Sequence, residues 1–348
     1  MRLLISAIED SALNYALELA RVASDRFEVE ILSHEKKRIL EYSGRKYQNR
    51  YAVDPSFGIA DVLKNTLSYL RLLYFEDYRA DVACLIDAPD FHIHLARMLK
   101  KKGIPVVFFI LPKFWAWGGE KKIKKFYEVA DALVSILPFE YEILKKMFSS
   151  RVYYFGHPLV KLVDFGKRIE VKDGVLFLPG SREGEVKRHV KKFAGFEFEA
   201  SIVRREFADC VRKSFVAKTV YTLDDVERFN FFAGWMRALA KCGTVTLELA
   251  LSAVPFVTFY VPDFIARFVG KMLVSVEYFS LPNLILRRKV VPEFIGDFDA
   301  KDVMKALEEI DTKTQLEAFE EIWTLLGERD VFAGLVELLE DVAKGSGK

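Results

Sequence analysis

Hydrophobic positions along this chain alternate between two periods. Short, mainly apolar runs at 3–7, 27–32, 82–86, 106–111 and 132–136 alternate with longer stretches at 11–23, 59–74, 91–101, 120–129 and 140–148. In those stretches apolar residues recur every three to four positions. Continuous apolar strands such as 82–86 and 106–111 fit burial on both faces, and the periodic stretches fit amphipathic helices that cover them. A chain built this way predicts an α/β fold with a parallel sheet. Gly156-His157-Pro158 closes the first series, 161–173 reads as a linker, and a second series runs from 175 to about 294. The tail, 302–343, is helical in pattern. The expected division is a first Rossmann-like domain at 1–158, a second at 159–310, and helices over 311–348 that return to the first domain.

The break points of the second series carry candidate chemistry. Val-Leu-Phe-Leu-Pro-Gly-Ser-Arg-Glu-Gly-Glu at 175–185 reads as a strand, a tight turn at Pro179-Gly180, and a helix capped by Ser181. Unpaired N–H groups and the positive end of the helix dipole suit such a terminus to phosphate, and Arg182 adds a fixed charge matched to a diphosphate. An ordinary βα turn with a surface arginine explains the same residues. The pattern recurs at 236–250. There Gly243 permits close backbone approach, Thr244 is placed to cap, and Glu248 lies where a carboxylate can accept from both ribose hydroxyls. Two such turns from separate βα units, without Gly-x-Gly-x-x-Gly, favour a nucleotide-sugar site over a dinucleotide site.

In the first series, Leu-Ile-Asp-Ala-Pro-Asp-Phe at 85–91 puts Asp87 at the carboxyl end of a buried strand, the ligand-binding edge of open α/β sheets. A general base needs a carboxylate tuned by burial, and Asp87 is placed for that. Asp90, three residues on, is accounted for as a helix cap.

Composition narrows the class. The chain has 348 residues, 51% apolar and 29% charged, enough for two cores and too apolar for disorder. A net charge of +2 gives no reason to expect a nucleic-acid partner. Cys84, Cys210 and Cys242 show no paired spacing, which argues for a reducing compartment and against a zinc site. Met1-Arg-Leu-Leu-Ile-Ser-Ala runs directly into Glu9-Asp10, so no secretory leader is expected. No apolar run reaches the ~18 residues of a spanning helix. His92 and His94 are two apart on a helix and do not face together. With His157 and His189 they read as hydrogen-bonded structural residues, and no metal site is expected. Two glutamines, Gln48 and Gln315, amid abundant Lys and Glu hint at a thermophile.

Seven motifs in order then resemble one family. They are Ile-Asp-Ala-Pro-Asp-Phe at 86–91, Phe-Trp-Ala-Trp at 114–117, Leu-Pro-Phe-Glu at 137–140 and Phe-Gly-His-Pro at 155–158, followed by Leu-Pro-Gly-Ser-Arg at 178–182, Gly-Thr-x-Thr-Leu-Glu at 243–248 and Ser-Leu-Pro-Asn-Leu at 280–284. The series resembles lipid-A-disaccharide synthases, bacterial glycosyltransferases of the GT-B architecture, over about 57–293, with a poor match between 187 and 232. The resemblance implies two Rossmann-like domains facing a cleft. It also implies an inverting transfer that joins UDP-2,3-diacylglucosamine to 2,3-diacylglucosamine 1-phosphate by a β-1,6 bond and releases UDP, with no metal and no cofactor. By motif, Asp87 matches the base, Arg182 the diphosphate ligand, Glu248 the ribose contact and Asn283 a UDP-site residue. Gly180, Ser181, Gly243 and Thr244 complete the expected UDP site, and Glu9, Ser11 and Asp90 the expected acceptor site. The competing readings are a UDP-sugar epimerase, a transferase for another lipid acceptor, and a non-catalytic membrane-surface binding protein.

Two departures stand out. The family's Gly-Glu-x-Ser-Gly-Asp turn is here Ile8-Glu9-Asp10-Ser11-Ala12-Leu13, and β-branched Ile8 does not take a positive φ cheaply. After Trp-Ala-Trp the family has arginine where this chain has Gly118-Gly119, with Lys121 or Lys122 as the replacement charge. Between 97 and 125 stand nine basic residues and one acidic one, interleaved with Phe114, Trp115 and Trp117. Because diacylated substrates reside in a bilayer, this stretch, with 261–279, is the expected membrane rim on the cytoplasmic face of the inner membrane. A solvated basic face beside core aromatics is the alternative. Expected partners are a UDP-sugar donor, a lipid acceptor and an anionic membrane surface. Oligomeric state is open, a homodimer included.

Overall fold

The computed structural model describes residues 1–51, 72, 76–115, 119–163, 165, 171–214, 217–222, 228–262, 277–327 and 329–345. The expected helix at 59–74 lies outside them apart from Leu72. The chain forms two compact units, Met1–Pro158 with Arg329–Lys348, and Leu159–Glu328.

The first unit is built on an eight-stranded sheet in the order β3-β4-β2-β1-β5-β6-β7-β8. Its strands are β1 Arg2–Ala7, β2 Glu28–Ser33, β3 Ile39–Tyr42, β4 Arg45–Tyr51, β5 Val82–Ile86, β6 Val106–Phe109, β7 Ala132–Ser135 and β8 Val152–Tyr154. All pairings are parallel except β3 with β4. That hairpin was not legible as apolar runs, because only Leu40 of β3 is buried. Its turn is set by Ser43 (φ 48) and Gly44 (φ 75), the two left-handed residues that match strand twist in tight hairpins. β1 lies between β2 and β5, so the chain reverses its direction of sheet growth there. The carboxyl ends of β1 and β5 are therefore a topological switch point, where open α/β sheets bind ligands.

Helices Asp10–Ala23, Pro89–Lys101, Glu120–Val129 and Pro138–Met147 follow their strands closely. Each buries an apolar stripe, as in Phe108 edge-on to Phe126 at 4.8 Å. The last helix, Val331–Ala343, packs on Asp10–Ala23, and Arg26 Nη1 meets Glu340 at 2.7 Å.

The second unit carries a six-stranded, wholly parallel sheet in the order β11-β10-β9-β12-β13-β14. These strands are β9 Lys172–Leu178, β10 Phe198–Val203, β11 Ala217–Thr222, β12 Trp235–Lys241, β13 Phe256–Tyr260 and β14 Glu293–Ile295. Phe177, Phe193, Phe198 and Phe259 form its aromatic core, with Phe177 stacked on Phe198 at 4.7 Å. The switch point here lies between β9 and β12. The helical tail divides between the units. Gln315 accepts from the Phe256 N–H at 3.0 Å and donates to the Phe256 carbonyl at 3.1 Å, which ties helix Thr312–Gly327 to the second sheet. Only the residues from 329 onward belong to the first unit.

Candidate active site

Asp87 leaves the end of β5 in an unusual conformation. It and Ala88 are consecutive non-glycine residues with positive φ, 56° and 43°. Each such residue costs ~1–3 kcal/mol and persists only where its surroundings hold it. Two contacts do so. The Asp87 N–H donates to the Phe109 carbonyl at 3.1 Å. Its own carbonyl meets His92 Nδ1 at 2.6 Å, and His92 Nε2 lies 2.8 Å from Ser6 Oγ on β1. A carbonyl only accepts, so Nδ1 carries the proton and Nε2 accepts from the serine hydroxyl. Burial pushes the His92 pKa down to about 4, which keeps the ring neutral. Burial also raises the Asp87 carboxyl above its ordinary range, against the opposing pull of the Lys113 ammonium.

The turn changes the expected role of Asp90. The helix N-cap is Ala88, with no side-chain capping bond, and Asp90 lies in the first turn. The Asp90 side chain is 91% exposed and pairs with Lys122 Nζ at 2.9 Å. Asp90 is therefore not the cap, and the Lys122 charge is spent on it.

The loop after β6 also differs from the expected rim. Phe114 is buried in the core cluster, so it is not a membrane-facing residue. Trp115 is partly buried, edge-on to Phe139 at 5.1 Å, and its Nε1–H donates to Glu140 Oε1 at 2.7 Å. Its indole serves the interior. Trp117 lies outside the described residues, as do positions 263–276 of the second expected rim. Lys121 is exposed. Glu140, in the first turn of its helix, is buried, and burial pushes its pKa up to about 7. Lys113 thus acts electrostatically on two carboxyls beyond neighbouring strand ends, the half-buried Asp87 and the buried Glu140.

At the end of β1, Glu9 is the N-cap of helix Asp10–Ala23, and its carbonyl accepts from the Ala12 N–H at 3.0 Å. Its side chain makes no capping bond. Ser11 lies inside that helix, and its side chain is not among those described.

In the second unit the turn after β9 is Pro179 to Arg182. Gly180 has φ 116°, open to glycine but strained for other residues, and an added Cβ would sit 3.2 Å from Glu185 Oε2. The helix is Glu183–Lys192, and its N-cap is Arg182, not Ser181; no side chain caps it. Ser181 is exposed in the turn, and the Arg182 side chain is 81% exposed. His189 repeats the arrangement of His92. Its Nδ1–H donates to the Pro179 carbonyl at 2.6 Å, and Nε2 accepts from the Val261 N–H at 3.2 Å.

At the second turn, Thr244 is the N-cap residue without a side-chain bond, and the Thr246 hydroxyl donates to the Gly243 carbonyl at 2.7 Å. Glu248 is buried and ion-paired with Arg228 Nε at 2.8 Å, and burial raises its pKa. The free carboxylate expected for a ribose is thus already held by a cation.

Asn283 is held on every side by protein groups. Its Nδ2 donates to the Val291 carbonyl and to Glu293 Oε1, each at 2.8 Å, and its Oδ1 accepts from the Val290 and Val291 N–H groups at 2.8 Å. An amide side chain offers two donors and one two-lone-pair acceptor, and all of them are engaged within the protein. Asn283 instead holds Glu293, which also accepts from the Ser280 N–H at 2.7 Å and hydroxyl at 2.6 Å.

The family model of lipid-A-disaccharide synthetase matches residues 3–321. The chain belongs to the lipid-A-disaccharide synthase family. The synthase of Aquifex aeolicus is 32% identical, covering 98% of this chain and 99% of that protein. The Persephonella marina synthase is 30% identical over 84% of each. Solved structures give the fold. The glycosyltransferase SnogD of Streptomyces nogalater matches with a TM-score of 0.58 at 14% identity, over 98% and 99% of the two chains. Methanocaldococcus jannaschii UDP-GlcNAc 2-epimerase also reaches a TM-score of 0.58, at 13% identity over 94% and 100%. At such identities the likeness is one of fold alone, so the epimerase match carries no chemistry. The chain is a GT-B glycosyltransferase of the synthase family, whose reaction joins UDP-2,3-diacylglucosamine to 2,3-diacylglucosamine 1-phosphate and releases UDP.

The sequence reading of His92 and His189 as hydrogen-bonded residues holds, but their partners at the two strand ends were not foreseen, and Lys113 and Glu140 were not singled out. Glu140 closes a motif already quoted, Leu-Pro-Phe-Glu, and His92 directly follows another, so their places were marked although their contacts were not. Among the described residues no helix is long and apolar enough to cross a membrane.

Proposed function

We propose that this chain performs the synthase reaction with Asp87 as general base and the β9 and β12 edge of the second unit as the UDP site. The observation that carries the reading is the Asp87 carboxyl. It stands at a topological switch point on a strained, doubly pinned turn, with burial raising its pKa towards the working range of a base. Asp87 takes the proton of the acceptor's 6-hydroxyl as that oxygen bonds the donor's anomeric carbon. The bond to the β-phosphate oxygen breaks, its electron pair stays on the diphosphate, and the configuration inverts. Arg182 and the N–H groups of the Gly180–Glu183 turn would meet that developing charge. Glu9 and Ser11, which follow β1, the strand paired with β5, would contact the acceptor.

Incubation with both substrates, followed by mass spectrometry, should give the disaccharide. Asp87→Asn should lower kcat by about 10²–10⁴, the usual cost of losing a general base, with UDP affinity intact. A variant that keeps more than about a tenth of kcat would move the base elsewhere, with Glu9 next.

The membrane contact we propose is electrostatic and peripheral. Arg97, Lys101, Lys121, Lys124 and Lys125 are exposed on the adjacent helices Pro89–Lys101 and Glu120–Val129. They suit an anionic cytoplasmic leaflet. Vesicle flotation should show binding to anionic but not neutral lipid, lost as salt rises; binding to neutral lipid at high salt would contradict it.

A further inference from the structure

Lys241 ends β12 beside the turn that follows β9, and it was not among the expected UDP ligands. Its stem runs along Gly180, where an added Cβ would meet Lys241 Cδ at 3.6 Å. Its ammonium reaches Gly243, where an added Cβ would sit 3.7 Å from Nζ. One side chain therefore spans both glycine turns. Nζ rests 3.3 Å from Glu185 Oε2 and 5.5 Å from the centre of the Tyr260 ring.

The surrounding charges make this cation matter. The helix after Gly180 opens with Glu183 and Glu185, which repel a diphosphate. Glu183 is answered by Lys187 at 2.5 Å. Glu185 is buried, and among the described residues its ion-pair partners are Lys241 and, at 3.9 Å, Arg182. His189 packs beside both and stays neutral, its pKa pushed down to about 4 by burial. Lys241 is thus the cation closest to the buried Glu185 carboxylate, and it adds to the positive charge that Arg182 brings to the turn. With its stem against Gly180 and its ammonium beside Gly243, it is within reach of a ligand bound at either turn.

We propose that Lys241 is a direct ligand of the donor's diphosphate, resting on Glu185 until the nucleotide arrives and then bridging the Gly180 and Gly243 turns through it. The inference rests on the donor site proposed above. It deepens that site by giving the leaving diphosphate a second cation, held by a strand end, where Arg182 is largely solvated.

Calorimetry with UDP on the full chain tests it, using wild type, Lys241→Met, and Lys241→Met with Glu185→Gln, and with melting curves for integrity. Lys241→Met should weaken UDP about 10- to 100-fold, the factor for a hydrogen bond to a charged group, and the double variant should stay weak. Wild type that fails to bind UDP would remove the donor site itself. Wild type that binds while Lys241→Met binds equally well would overturn this inference alone. Full recovery in the double variant would show that Lys241 only neutralises Glu185, and overturns direct contact. If Lys241→Met does not fold, Lys241→Gln, which keeps the stem, serves as the second variant under the same criteria.

Discussion

The imidazole of His92 donates to the carbonyl of Asp87, five residues earlier, at 2.6 Å. The carbonyl belongs to the first of two left-handed residues, so the bond fixes the conformation that aims the Asp87 side chain. His92 is a positioning residue. It is anchored in turn by the Ser6 hydroxyl on the neighbouring strand β1, which makes the pin rigid.

His92→Leu should therefore lower kcat by about 10²-fold, the scale expected for misplacing a reacting group by ~1 Å, while the donor KM stays within error. His92→Asn keeps an N–H near Nδ1 and should recover most of kcat. A purely structural histidine would show the reverse, with melting temperature falling in both variants and no difference between them in turnover at a permissive temperature. Steady-state kinetics of the two variants beside their melting curves decides.

Glu140 supplies a pH-dependent prediction. Its carboxyl is raised from the ordinary 4.5 to about 7, chiefly by burial, so the folded chain holds its proton more tightly than the unfolded chain. Between those values the folded state binds more protons, and stability falls as pH rises through about 7. Glutamine keeps an oxygen acceptor for Trp115 Nε1–H and carries no charge. Glu140→Gln should then match wild type at pH ~4 and exceed it by up to ~3 kcal/mol at pH ~8, the linkage value of such a shift. The buried histidines change stability in the opposite sense, lost as pH falls below about 6.5, but they are common to both chains and cancel. Denaturant melts of both proteins at the two pH values measure the difference. An equal gap at both would show that Glu140 is not the group titrating.

The alternation of apolar runs and helical periods made the parallel strands of both sheets legible, because strands buried on both faces leave mainly apolar words in the sequence. Hairpin β3–β4 escaped because it is largely solvated, with its signal confined to Ser43-Gly44. The place of Asp87 at the end of β5 was legible because its strand, proline and helix fix it locally. The loop residues fared worse for a physical reason. Phe114 and Trp115 read as an exposed aromatic rim, but an aromatic beside lysines has the same pattern whether it faces lipid or a buried acid. Only the three-dimensional position of Glu140, 25 residues on, distinguishes the two. Lys241 was invisible similarly, since its partners lie on another βα unit.

Asn283 gives the sharpest contrast between motif and geometry. Its motif assigns it to the UDP site, yet all of its hydrogen-bonding capacity is spent on Val290, Val291 and Glu293. Removing it leaves buried backbone N–H groups and a carboxylate without their partner, each worth ~1–3 kcal/mol. Asn283→Ala should therefore destabilise the second unit by ~2–4 kcal/mol, at the upper end for a single substitution, because it breaks a buried network. UDP affinity, measured well below the lowered melting temperature, should fall by less than about threefold, since no nucleotide contact is lost directly; the direct-contact alternative predicts at least tenfold, the worth of a hydrogen bond to a charged group. Asn283→Asp separates the two further. It keeps the acceptor for Val290 and Val291 but sets a carboxylate against Glu293, so it should destabilise the fold while leaving UDP binding close to that of the alanine variant. Denaturation midpoints and UDP calorimetry on the same preparations decide. A stable Asn283→Ala protein that has lost UDP would restore Asn283 to the nucleotide.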